Sequence, residues 1–360
     1  MKKLIAMLLA LVMVLGLVAC GASEPAATEA APAATEAAPA ATEAAPAATE
    51  AAPAPAPAEK IVVGFAQVGH ESDWRTANTK NYQEVFSAEN GYDLMFVDCD
   101  NDNAVQIEAV RTSIQQGVDY IILAPIQSAG WESVLQEAKD AGIPVIVADR
   151  QVDADASMYD AFIGTDCYVE GELAGNWLAE YLNGAEANIL VIEGTIGSSA
   201  AIGRTDGFNS VAANHPEWKI LDSQSGDFTQ TGGQEVMESY LKTYKGQFNV
   251  VVCQNDNEAY GAMDAMDAAG VTYGIGGDVI IISYDATHDG LKYTLEGKIH
   301  CNVECNPIQA AYVDEIIKQM EAGEEFATYT LVKDEAFVAP GIESAYAVTM
   351  TQEVLDGRAY

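Results

Sequence analysis

The stretch GVDYIILAPIQSAGWESVLQEAKDAGIPVIVADR, residues 117–150, sets two short apolar runs, VDYIILAPI and IPVIVADR, on either side of the amphipathic segment WESVLQEAKDAG. The flanking runs are continuously apolar rather than alternating, as in strands covered on both faces. The middle segment has the length and spacing of a helix. Strand, helix and strand in this order predict a parallel sheet with helices against it.

The same rhythm extends in both directions. Upstream lie KIVVGFAQV, a helix over Trp74–Ala88, YDLMFVDCD and a helix through AVQIEAVRTSIQQG; downstream lies DAFIGTD. A second series follows with EANILVIEGT, AAIGRTDGFNSVAAN, WKILDSQSGDFT, a helix from Gly232 to Tyr244, FNVVVCQND, EAYGAMDAMDAAG and DVIIISYDAT. Two sets of strand–helix units predict an α/β protein of two doubly wound parallel-sheet lobes. A (β/α)₈ barrel is the alternative, and it requires a single ring of strands.

The first residues read differently. Two lysines precede an apolar run, Leu4–Val18, too short for a bilayer span of about 20 residues, so residues 1–19 are expected to be a signal peptide. The ending LVACG resembles the lipobox of bacterial lipoproteins, with Cys20 as the acylated residue. Residues 20–58 then repeat PAATEAA from Pro25, Pro32, Pro39 and Pro46. A proline in every heptad and alanine as the only apolar residue rule out a coiled-coil seam, which leaves an extended tether.

The formal charge of -37, from 54 acidic and 17 basic residues, argues against nucleic acid as a partner, and against membrane contact other than through a lipid anchor. With Cys20 lipidated, Cys99, Cys167, Cys253, Cys301 and Cys305 remain, an odd number with no disulfide framework. Cys301 and Cys305 sit in an extended segment that holds them about 13 Å apart, beyond the reach of a bridge. The four histidines show no ligand spacing, so neither a metal nor another cofactor is expected.

In open parallel sheets ligands bind outside the carboxyl ends of the strands. Those ends carry Glu71–Arg75, Asp149 and Arg150, Thr195, Asp227 and Phe228, Asn255 and Asp256, and Asp285, with Arg204 close by. Carboxylates, an amide, guanidinium forks and aromatic planes suit a polyol: the first two meet hydroxyls, the forks reach adjacent oxygens and a ring covers C–H groups.

Five stretches, VGFAQVGHESDWR (63–75), residues 117–150, EGTIGSSAAIGRTDGF (193–208), SQSGDFT (223–229) and CQNDNEAYGA (253–262), resemble the pentose/hexose class of periplasmic-type sugar-binding proteins of ABC importers, most closely the galactofuranose-binding group. The resemblance implies the type I periplasmic binding protein fold, two lobes joined by three hinge strands and closing on a monosaccharide. It also implies lobes of 59–165 with 305–332 and of 166–304 with 333–360. Carried onto this chain, the contacts are Glu71, Ser72, Trp74 and Arg75 of the first loop, Asp149 and Arg150, Arg204, Asn255 and Asp285. Many ribose-type relatives carry a glutamine two residues before the proline of the last hinge. Here VECNP has Cys305 there, and Glu304 is expected to touch the ligand instead. With Glu71, Asp149, Asp285 and Glu304 against Arg75, Arg150 and Arg204, the cleft balances near -1, so a neutral sugar is expected, and the resemblance implies galactofuranose or a related hexose.

A glycosidase would use two carboxylates, and Asp149 and Asp285 are candidates in type, but each has an arginine or amide competitor. No nucleophile elbow, P-loop lysine or zinc spacing accompanies them, and no enzyme is expected. A surface sensor that presents sugar to a membrane receptor is the second alternative to delivery to a permease. The expected protein is a monomer, lipid-anchored on the extracellular face of the cytoplasmic membrane.

Overall fold

A computed structural model describes residues 59–360. The expected signal peptide, Cys20 and the PAATEAA tether lie outside the described residues.

The first series of strand and helix signals becomes β1 (Ile61–Gln67), α1 (Asp73–Val85), β2 (Tyr92–Asp98), α2 (Asn103–Gln116), β3 (Tyr120–Leu123), α3 (Glu132–Ala141), β4 (Val145–Asp149) and β5 (Ala161–Gly164). The second becomes α4 (Cys167–Leu182), β6 (Ala187–Glu193), α5 (Ser199–Ala212), β7 (Trp218–Ser225), α6 (Gln230–Tyr244), β8 (Val250–Cys253), α7 (Asp256–Ala269), β9 (Ile280–Asp285), α8 (His288–Leu295) and β10 (Cys301–Glu304). The chain closes with α9 (Ala310–Ala322), β11 (Tyr329–Leu331), β12 (Ala336–Val338), β13 (Val348–Thr349) and α10 (Gln352–Asp356).

These strands form two sheets, ordered β11-β5-β4-β3-β1-β2 and β13-β12-β10-β9-β8-β6-β7. All pairs of the first are parallel; in the second, β10 and β12 alone run antiparallel. Two open sheets exclude the single barrel. The fold is the expected pair of doubly wound lobes, and in each the first strand lies between the second and third, which makes a switch point at its carboxyl end.

The chain passes between the sheets three times, after Gly164, after Glu304 and between Leu331 and Ala336. The second passage returns α9 to the first lobe, where Ala310, Val313 and Ile317 join Phe65, Ile122 and Val147 in one core.

Continuous apolar strands have both faces to cover, and the second lobe does this by alternation. Ile189, Val250, Val252 and Ile282 pack on one side with Trp177 and Leu178. Leu190, Val251, Cys253 and Ile281 pack on the other with Met237, Tyr240 and Met263. The sequence reading leaves α4 unassigned: Trp177 and Leu178 are buried in its second half, but the buried positions before them are Glu170, Gly171, Ala174 and Gly175, which form no apolar stripe. Small residues there serve a close approach: a Cβ on Gly207 of α5 would stand 2.0 Å from the Tyr168 carbonyl oxygen, and one on Gly171 2.4 Å from that of Arg204. Backbone therefore touches backbone where α5 presents Arg204.

Among the described residues the five cysteines are free, no helix is long and apolar enough to cross a membrane, and no cluster of metal-ligating side chains is found.

Candidate ligand-binding site

The segment GHESDWR becomes the turn into α1. Ser72 caps the helix, its side chain accepting from the Arg75 amide at 3.1 Å, and the cap aims Trp74 and Arg75 inward, where both are buried. Arg75 donates from Nη2 to Asp149 Oδ2 at 2.7 Å, from Nε to Glu71 Oε1 at 3.1 Å and from Nη1 to Gln67 Oε1 at 3.2 Å, and lies 4.6 Å from the Trp74 ring centroid. Burial works to lower its basicity, yet Asp149 and Glu71 outweigh that and hold it above its ordinary value. The Trp74 indole donates to the Cys305 carbonyl at 2.5 Å, which ties this wall to the second passage between lobes.

From the second lobe, Arg204 donates to Glu170 at 2.7 Å, to Asp285 Oδ1 at 3.3 Å and to the Gln254 carbonyl, and it lies over the rings of Tyr284 and Phe228. Burial pushes the Asp285 carboxyl up, with Arg204 pulling the other way. Phe228 is held by its backbone: its N–H donates to Glu258 at 2.9 Å and its carbonyl accepts from Asn255 at 2.8 Å. Asp149, Phe228 and Asp285 adopt φ of 64°, 60° and 95°, left-handed values without glycine. Such strain persists where the surroundings over-determine it, and it turns the strand ends toward the cleft.

Arg150 differs from the other two arginines. Its nearest carboxylate oxygens, on Glu71 and Asp149, are 3.7 and 3.8 Å away, and among the described residues the one hydrogen bond of its guanidinium is a 3.4 Å contact to the Ile126 carbonyl. Burial and then Arg75 lower its basicity. Buried donors without close protein partners stand ready for a ligand. Glu71 Oε2 is likewise buried with no partner.

Around these groups lies a cavity with about 290 Å³ of empty space, lined by Glu71, Ser72, Trp74, Arg75, Asp149, Arg150, Arg204, Phe228, Asn255 and Asp285, together with Ala200 and Cys305. Two expected residues are elsewhere. Thr195 faces an outer groove beside Ile196, because the Phe228 ring takes the place next to Gly194, where even a Cβ would come within 1.9 Å of it. Glu304 turns away and accepts from Arg358, from the Tyr360 hydroxyl at 2.6 Å and from the Glu335 amide at 3.0 Å. Successive extended residues point to opposite faces, so with Glu304 outward Cys305 lines the cavity. The formal balance of the lining is then three guanidinium groups against three carboxylates, where -1 was expected.

The lobes also touch outside the cavity. Asp73 and Asn257 exchange hydrogen bonds of 3.0 and 3.3 Å, the Gln151 amide donates to Ser199 Oγ at 2.8 Å, and the Ser128 amide to the Gly197 carbonyl at 2.9 Å. Sequence reasoning missed Glu170 and Glu258, which hold Arg204 and Phe228 from behind; both are acidic residues on helices with no local mark of their partners.

Residues 63–321 match the model of the periplasmic binding protein domain. The chain belongs to the periplasmic binding protein family. This binding protein is 39% identical over 287 residues to the galactofuranose-binding protein YtfQ of Escherichia coli (strain K12), covering 79% of this chain and 89% of that one. Among solved structures, it is 44% identical, with a TM-score of 0.74, to a Mycobacterium smegmatis protein in complex with β-D-fucofuranose, covering 77% of this chain and 91% of that one. It is also 38% identical, with a TM-score of 0.73 and coverage of 77% and 91%, to the binding protein of the arabinose ABC transporter from Shewanella sp. ANA-3, bound to α- and β-L-arabinofuranose. The Escherichia coli and Shewanella relatives are named as binding proteins.

Proposed function

We propose that this binding protein captures a neutral monosaccharide in furanose form, galactofuranose or a closely related hexose, and delivers it to the permease of an ABC importer. The observation that carries the reading is the charge-balanced cavity, in which Arg75 and Arg204 are each bound to carboxylates while Arg150 keeps donors free. In this reading Glu71, Asp149 and Asp285 meet hydroxyl protons, Arg150 donates to ring or hydroxyl oxygens, and the faces of Trp74 and Phe228 cover the C–H sides. The furanose ligands named for the relatives support the ring form. An anion would have to enter a protein whose net charge is already -37.

Capture close to a permease calls for an anchor, and in this proposal Cys20 carries the lipid, residues 20–58 are the tether, and the folded part works outside the cytoplasmic membrane as a monomer. The lobes are 59–165 with 305–332 and 166–304 with 333–360, and they close on the sugar about the three passages.

Calorimetric titration with galactofuranose, arabinofuranose, ribose, galactose 6-phosphate and galacturonic acid tests the ligand. Tightest binding is expected for a neutral furanose-forming sugar. A sugar phosphate or uronic acid binding at least as tightly as every neutral sugar would overturn the proposal.

A further inference from the structure

Where two of the passages between lobes run side by side, two thiols share one hydroxyl. Thr165 Oγ1 lies 3.3 Å from the sulfur of Cys305 and 3.8 Å from that of Cys167. The triangle with those two sides holds the sulfurs within about 7 Å of each other, and a bridge requires the side chains to turn until the sulfurs meet at about 2 Å. Cys167 opens α4 just after the first passage, and Cys305 lies in the second.

The two thiols face different spaces. Cys305 lines the cavity, while Cys167 lines a larger hollow between the lobes, with about 880 Å³ of empty space, together with Thr165, Asp166 and Tyr168. Asp149 borders both, so the spaces adjoin. Cys167 is half-buried and Cys305 buried. Burial pushes both thiols up, and in each case Arg204 works against it. Neither thiol enters the account of sugar capture given above.

We infer that Cys167 and Cys305 form a dithiol site that low-molecular-weight disulfides oxidise to an intramolecular bridge. The Cys167 thiolate attacks one sulfur of the reagent RSSR from the open hollow, forming a mixed disulfide and releasing RS⁻. The Cys305 thiolate then attacks Cys167 Sγ, forming the protein disulfide and releasing the second RS⁻. The two protein thiols are oxidised, the reagent disulfide is reduced, and the two protons pass to the released thiolates. The bridge joins two of the three passages between lobes and draws the Cys305 sulfur from the cavity wall. Cys99, Cys253 and Cys301 are buried and line neither space, so they take no part.

The test treats the native full chain with oxidised glutathione, quenches with acid, unfolds and alkylates it, and maps the peptides without reduction. The expected map has a linked peptide pair containing Cys167 and Cys305, with Cys99, Cys253 and Cys301 alkylated. Cys305→Ser should stop at a glutathione adduct on Cys167, and Cys167→Ser should yield no linked pair. A wild-type map that stops at glutathione adducts overturns the inference, as does one in which links to Cys301 are as abundant as the Cys167–Cys305 pair.

Discussion

Asp73 and Asn257 form a reciprocal clasp between the lobes: the Asp73 amide donates to the Asn257 side chain at 3.0 Å, and the Asn257 amide group donates back to the Asp73 carboxylate at 3.3 Å. Neither residue lines the cavity, so the clasp favours the closed arrangement without touching the ligand. Asn257→Ala should weaken sugar binding by about fivefold, in keeping with about 1 kcal/mol for part-buried hydrogen bonds, mainly through faster release. Stopped-flow dissociation reads this; an unchanged release rate would show that the clasp does not hold the lobes together.

Arg204 is the electrostatic hub of the second lobe, and its loss leaves Glu170 without its buried partner. Arg204→Ala should destabilise the protein by about 3–5 kcal/mol, besides abolishing measurable binding. Adding Glu170→Gln to Arg204→Met should recover much of the stability in urea unfolding and none of the binding.

His300 gives the fold an acid-sensitive point. Burial lowers its pKa to about 4, and its Nδ1 accepts from the Ile281 amide at 3.2 Å, which requires the neutral ring. Between that value and the ordinary 6.5 the unfolded chain binds the extra proton, so stability falls as pH drops from about 6.5 to about 4, by up to about 3 kcal/mol. Urea midpoints across that window should slope in the wild type and be flatter in His300→Gln. Equal slopes would remove His300 as the cause.

Glu304 is bound to Arg358, Tyr360 and Glu335 and lies outside the cavity lining. Glu304→Gln should therefore lower the thermal midpoint by a few degrees while leaving sugar affinity within about twofold. A tenfold loss of affinity with an unchanged midpoint would return Glu304 to the list of ligand contacts.

Cys20→Ala should move the protein from the membrane fraction to the medium with its sugar affinity intact, because the cavity residues named above lie between Glu71 and Cys305, far along the chain from Cys20. Retention of the variant in washed membranes would rule out the lipid anchor.

The cavity was legible in the sequence wherever position along a strand decides it. Asp149 and Asp285 end apolar runs, Arg75 follows a capping serine, and such places face the cleft in any doubly wound lobe. Glu304 and Cys305 were not separable, since one residue of register exchanges inward for outward and nothing in VECNP marks the phase. Glu170 stayed hidden because the first half of its helix packs through Gly171, Ala174 and Gly175 and shows no apolar stripe. The left-handed turns at Asp149, Phe228 and Asp285 left no glycine to mark them.

The shared order of strands has a counterpart in the binding groups. In the first lobe the helix after the first strand supplies Arg75, paired with Asp149 at the end of the fourth; in the second lobe the helix after β6 supplies Arg204, paired with Asp285 at the end of β9, again the fourth. Both aspartates have positive φ. The site is thus one clamp made twice, with both copies lining one cavity. A ligand with hydroxyl groups on two opposite edges satisfies both copies, whereas one with a bare edge leaves an arginine–aspartate pair against C–H groups, out of water and unanswered.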